Sequence, residues 1–327
     1  MDITLVSALF TKFDWMMVIL PAPFFLGMTC DTLAWKFLLP DGVNARYRQL
    51  YGAQLAAESV LLSIPGGFAM SDAIKLFILK RRVGVPGSSI VASLAVRHWL
   101  LGITQLLFIS GTCAMAGIIS RSPLLVLYTR NGSLEAAVIV LIAVSILLGA
   151  VIRLLVRGTL ARSLWTFLYR IPVPSLRRKL RGFIPFVRET DLHLAASRKK
   201  SRRHLFAALF LFETLWFADV FESMLAAHVI GIDLSFSNAL ITEAILSAVR
   251  LSVFFLPGGI VVKDLGYAAL FAAMRLPVPA ATIAAFIVLK RLVSITCIAT
   301  GYAALLMQKI RLKGGRPTFL RTALANQ

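Results

Sequence analysis

Apolar residues in this chain neither alternate nor follow a narrow helical stripe. They run in long blocks, separated by short knots of proline, glycine and charge. A nearly uncharged block of about 18 residues or more is long enough to cross roughly 30 Å of hydrocarbon as a helix. The pattern predicts an interfacial helix at 3–13 and apolar segments at 15–39, 49–64, 88–119, 134–156, 205–230, 235–256 and 279–308. Shorter helices are expected at 70–82 and 261–275. A membrane β-barrel needs alternation over segments of about ten residues, a pattern this chain lacks. The expected fold class is all-α, a polytopic transmembrane helix bundle of about seven or eight crossings.

The blocks also repeat. Pro65-Gly66-Gly67 is followed, after four residues, by Asp72, and Pro257-Gly258-Gly259 by Asp264 at the same spacing. Seven residues before each motif stands an ionisable group, Glu58 or Arg250. Each motif leads through a short apolar stretch to Gly/Pro punctuation, Gly84-Val85-Pro86 or Pro277-Val278-Pro279, and then to a long apolar segment carrying Arg97-His98 or Lys290-Arg291. Interrupted segments and charges in matching places of two halves are the pattern of broken-helix transporters. The expected organisation is one integral membrane domain, 1–327, with half one at 15–156, a connector at 157–204, half two at 205–308 and a basic tail at 309–327. Both Pro-Gly-Gly segments are expected to be broken or re-entrant.

Composition agrees with a membrane protein: 58% hydrophobic residues and a mean hydropathy of +0.82. The net charge of +20 is uneven, since 14 of the 35 Lys and Arg fall between Arg153 and Arg203 against two acids, Glu189 and Asp191. Basic loops are retained on the cytoplasmic side and attract anionic headgroups, so the partners expected are membrane lipids and not nucleic acid. The connector 157–204 is placed in the cytoplasm. Were both Pro-Gly-Gly segments to enter from one side, the basic tail would finish outside, against that rule. Cys30, Cys113 and Cys297 are scattered and give neither a disulfide framework nor a metal spacing. The N-terminus lacks the features of a cleaved signal.

Backbone freed by a Pro-Gly-Gly inside hydrocarbon has to be buried in protein or line a watery cavity. The helix that follows directs N–H groups and the positive end of its dipole there, a site for phosphate or carboxylate. The lipid-headgroup candidates are therefore Gly66, Gly67, Asp72, Lys75, Arg97, Gly258, Gly259, Asp264, Lys290 and Arg291. Glu58, Glu243 and Arg250 form a candidate cavity charge network, because intramembrane charges cost about 2.5–3.5 kcal/mol each and mark function by default. Asp219 and Glu222 are expected to reach water near a span end. The structural alternative is that the glycines permit close packing, Asp72 and Asp264 cap helices, and the charges pair to hold the bundle.

Catalytic patterns fail. Asp41-Gly42-Val43-Asn44-Ala45-Arg46 matches the opening of the CDP-alcohol phosphotransferase motif, but the further aspartates that hold its metals are missing. Phosphate loop, nucleophile elbow and histidine metal spacing are likewise missing. No cofactor, metal or catalytic residue is expected, and the chain is not expected to be an enzyme.

The doubled motif resembles the lysylphosphatidylglycerol synthase transmembrane-region family, also called flippase-like integral membrane proteins. The residues carrying the likeness are Pro65-Gly66-Gly67, Asp72, Lys75, Gly84 and Arg97, then Pro257-Gly258-Gly259, Asp264, Gly266 and Arg291. The resemblance implies a bundle with two re-entrant elements and a role in moving or presenting lipids across the bacterial inner membrane. It looks like a stand-alone member, without the aminoacyltransferase domain of the full-length synthases. The function expected is translocation of an anionic phospholipid or isoprenoid-linked lipid, with protonation of Glu58 or Glu243 biasing direction. Replacing Arg97 or Arg291 by Ala is expected to reduce transport without unfolding the bundle. Two alternatives remain: a lipid-presenting scaffold partner of a lipid-biosynthesis enzyme, and a membrane-embedded headgroup transferase.

Overall fold

The computed structural model describes residues 15–40, 43–64, 67–118, 166, 184–197, 202–252, 260–273 and 278–307. The predicted helix at 3–13, the span at 134–156, most of the 157–204 connector, the tail and Gly66, Gly258 and Gly259 lie outside these. Every element among the described residues is helical. In chain order they are α1 (Trp15–Ile19), α2 (Ala22–Leu38), α3 (Tyr47–Ser63), α4 (Gly67–Val83) and α5 (Gly87–Ile118). Then follow α6 (Ile184–Ser197), α7 (Arg202–Val229), α8 (Phe236–Ser252), α9 (Ile260–Ala273) and α10 (Ala280–Met307).

Local chemistry sets the boundaries. A residue before proline is pushed out of the helical region. Accordingly Leu39, before Pro40, is extended at φ −63° and ψ 146°, and Ile64, before Pro65, at φ −116° and ψ 132°. These end α2 and α3. In the second half α8 is described to Ser252 and α9 from Ile260, on either side of Pro257-Gly258-Gly259. At the start of α8 the Asn238 N–H donates to Ser235 Oγ at 3.3 Å, a serine cap of an otherwise open donor.

Three helical stretches are long and apolar enough to cross a membrane among the described residues: Gly87–Cys113, Arg203–Val229 and Ala280–Leu306. Their outward faces carry large apolar side chains such as Phe206, Phe210, Ile295 and Leu306. Lipid tails are as apolar as these side chains, so the bundle holds by close packing and internal polar contacts more than by exclusion of water.

The two halves interlock. α2 runs antiparallel against α7: Gly27 sits opposite Leu215 and Ala218, and Phe37 lies 5.6 Å, ring to ring, from His204. α3 of half one packs on α10 of half two, and α8 of half two packs on α5 of half one. At the first crossing a β-carbon on Gly301 would lie 2.4 Å from the Leu55 carbonyl oxygen and 2.6 Å from Ser59 Cβ, so only glycine allows that approach. At the second, Gln105 Nε2 donates to Ser247 Oγ at 2.7 Å and to its carbonyl oxygen at 3.0 Å. First helix meets first helix, and second meets last in both directions. The first helix of one half thus runs antiparallel to the first helix of the other.

Candidate functional site

Each half carries a buried group of charges built from the same helices in the same order. In half one, α2 contributes Asp31, α3 contributes Gln54 and α5 contributes Arg97. Arg97 Nε donates to Asp31 Oδ1 at 2.8 Å, and its Nη2 donates to Asp31 Oδ2, a two-bond fork. Gln54 Nε2 donates to the same Oδ2 at 2.6 Å. All three side chains are buried. Beside them, His98 Nε2 lies 2.8 Å from Asp72 Oδ2, and Lys75 Nζ lies 3.6 Å from Asp72 Oδ1. Half-buried Glu58 adds its charge to the fields at Lys75 and Arg97.

In half two, α7 contributes Glu222, α8 contributes Glu243 and α10 contributes Lys290. Lys290 Nζ is 2.6 Å from Glu222 Oε1 and 3.8 Å from Glu243 Oε1. Glu243 Oε1 also accepts from the Tyr267 hydroxyl at 2.5 Å and from the Ser223 hydroxyl. Lys263 Nζ stands between Asp219 Oδ2 at 3.8 Å and Glu243 Oε2 at 4.0 Å. Arg291 Nε donates to Asp264 Oδ2 at 2.9 Å, with Nη2 on the same oxygen.

The correspondence is residue by residue. Of the adjacent basic pair on each last helix, the first member binds the carboxylate of the first helix, Asp31 or Glu222. The second member binds the aspartate of the short helix, Asp72 or Asp264. Chain separations agree, 26 residues for His98 with Asp72 and 27 for Arg291 with Asp264. Such pairing is what permits ionised groups inside a bundle, because an unpaired buried charge costs several kcal/mol.

These contacts revise several sequence expectations. Arg97, Lys290 and Arg291 do not present open charge to a ligand in this conformation, since each is held by a carboxylate. Gly67 does not offer its N–H to an anion, because that group donates to the Ile64 carbonyl at 3.0 Å. A β-carbon there would lie 2.6 Å from the Val60 carbonyl oxygen, so the residue serves the tight α3–α4 turn. Asp72 and Asp264 bind bases of the last helices and do not cap their own. Glu222, expected at a watery interface, is 5% exposed and bound to Lys290. Glu243 does join a charge network, with Lys290 and Lys263; the Arg250 side chain lies outside the described residues.

Sequence reasoning missed Asp31, Gln54, Ser223, Lys263 and Tyr267 as members of these groups. A carboxylate in the middle of the apolar run around Asp31 was a usable signal, since such residues are rare in spans. Ser223 and Tyr267 carry none, being ordinary in membrane helices. A narrow crevice between α5, α7, α8 and α9 is lined by Phe108, Trp216, Asp219, Glu243, Ser247 and Lys263. It lies between the half-one helix α5 and the half-two group. No cluster of three metal-ligating side chains occurs among the described residues.

The profile of the family described as the lysylphosphatidylglycerol synthase TM region matches residues 1–301. No curated protein and no solved structure matches the chain. With the match spanning nearly all of the helical bundle and both charge groups, the chain belongs to the lysylphosphatidylglycerol synthase TM-region family.

Proposed function

We propose that the protein moves a lipid with an anionic headgroup between membrane leaflets, as a flippase- or scramblase-like translocator in the bacterial inner membrane. The observation that carries this reading is the duplicated set of buried ion pairs on interlocked halves whose first helices run antiparallel. Inverted repeats place a site near the mid-plane and allow access to alternate by rocking one half against the other. A phosphate or phosphate-linked headgroup entering between the halves competes for Arg97, Lys290 and Arg291. It exchanges their carboxylate partners for its own oxygens, while the acyl tails stay in the bilayer. In this reading Asp72, Lys75 and Asp264 line the rest of the headgroup path, and Gly66, Gly258 and Gly259 are further candidates outside the described residues. The family supports a lipid-related role, and the reading assigns the protein no covalent chemistry.

A second reading has one observation in its favour. Helix α6 is fastened to the start of α5 by His193 Nε2, 3.0 Å from Ser89 Oγ, and the flanking connector is basic. That arrangement suits a docking platform for a lipid-biosynthesis enzyme. The experiment is leaflet exchange of labelled lipids in proteoliposomes, using an anionic phospholipid, a zwitterionic phospholipid and an isoprenoid phosphate. Wild type and Arg291→Ala are compared with the double variant Asp31→Asn/Arg97→Gln, which keeps the internal charge balance. Exchange of an anionic lipid that both variants lose supports translocation. Absence of exchange from folded wild type, with binding lost on charge reversal in the connector, supports the platform.

A further inference from the structure

The half-two group carries more carboxylates than ammonium groups. Asp219, Glu222 and Glu243 face Lys263 and Lys290, three carboxylates against two ammonium groups. Arg291 and Asp264 cancel each other alongside. At the centre, Glu222 and Glu243, only 5% and 3% exposed, share Lys290, while Lys263 reaches Glu243 Oε2 from 4.0 Å and Asp219 from 3.8 Å. In half one the helix corresponding to α8 supplies an amide, Gln54, so the core of Asp31, Gln54 and Arg97 is neutral. An amide has nearly the shape of a protonated carboxylic acid.

We infer that Glu222 and Glu243 form a proton-binding site in which one dissociable proton is shared around Lys290. The inference deepens the transport reading by naming the ion that accompanies the lipid. Burying a net negative charge in a low-dielectric bundle is expensive, and one proton removes it. The binding step adds that proton to a carboxylate oxygen and takes the group from one excess negative charge to none, with no other bond broken. Around Glu222, α10 presents buried Cys297 as well as Lys290. Toward Glu243, α7 presents Asp219, Glu222 and Ser223, α9 presents Lys263 and Tyr267, and α10 presents Lys290. The crevice receives from α5 only Phe108. Glu243, Asp219 and Lys263 line that narrow crevice, so the group is open on its side toward α5. An anionic headgroup is repelled by the unprotonated group and accepted by the protonated one, so proton and anionic lipid bind together.

The test is infrared difference spectroscopy of the full-length protein in bilayers during a pH titration, comparing wild type with Glu243→Gln and Glu222→Gln. The wild type is expected to show a buried carboxylic-acid band that disappears as pH rises, and each variant to lack it. A wild type without the band at any pH, or a band unchanged in either variant, overturns the inference. Leaflet exchange on the same samples separates the two readings. The band with no lipid exchange supports the proton site while overturning translocation. Exchange with no band overturns the proton site alone.

Discussion

Arg97 and Asp31, 66 residues apart in the chain, meet as a two-bond fork inside the bundle, with both side chains 6% exposed. The fork joins the first helix of half one to its last. The Gln54 amide completes it on the carboxylate side.

Removing one partner of that fork leaves the other charged and buried. Arg97→Ala is therefore expected to lose about 3–5 kcal/mol of stability, more than transport function alone requires. Asp31→Asn/Arg97→Gln should recover most of it, since neither member is then ionised. Unfolding midpoints of the two singles and the double in one detergent give the coupling; additive effects would contradict the fork.

The outer pair behaves differently. Arg291 and Asp264 are 35% and 23% exposed, so Arg291→Ala should change stability by no more than about 1 kcal/mol. Lipid exchange, in contrast, should fall at least about tenfold, equivalent to about 1.4 kcal/mol of lost transition-state stabilisation. A folded Arg291→Ala protein with wild-type exchange would remove Arg291 from the headgroup path.

Two glycines distinguish packing from permissiveness. Gly301→Ala forces a β-carbon against the Leu55 carbonyl oxygen at the α3–α10 crossing, whereas Gly111 has nothing within 4 Å of an added β-carbon. Gly301→Ala should lower the thermal midpoint clearly, and Gly111→Ala should leave it unchanged or raise it by up to about 1 kcal/mol equivalent, through helix propensity. Equal midpoints for the two variants would contradict the close crossing.

Gln54→Glu should add a second carboxyl to the half-one core, beside Asp31. The new carboxyl lies against Asp31 and folds best while protonated. The folded state then holds a proton that the unfolded state releases, so stability falls as pH rises. Midpoints measured across the pH range should slope downward for Gln54→Glu relative to wild type. A parallel pair of curves would mean that Asp31 and residue 54 do not sense each other.

Helix boundaries were readable because proline and glycine act locally. The breaks after Ser63 and before Gly87 and Ala280 sit where the Pro and Gly punctuation placed them. Charges inside apolar blocks were also legible as unusual. The identity of their partners was not. Asp72 lies one helical turn from Lys75, a spacing any reader pairs, yet its closer contact is His98 on another helix. Glu222 looked interfacial from its place near the end of an apolar run, and the bundle turned it inward onto Lys290.

Composition and block length alone settle that this is a helical membrane protein, because crossing hydrocarbon is a demand on each segment taken singly. The doubled motif adds that the halves are related. The antiparallel packing of α2 on α7, the interlocking of α3 with α10 and α5 with α8, and the choice of carboxylate for each base are settled only in three dimensions. Those outcomes depend on which helix faces which. In a medium as apolar as the side chains, that choice rests on small-residue crossings and buried ion pairs between residues far apart in the chain.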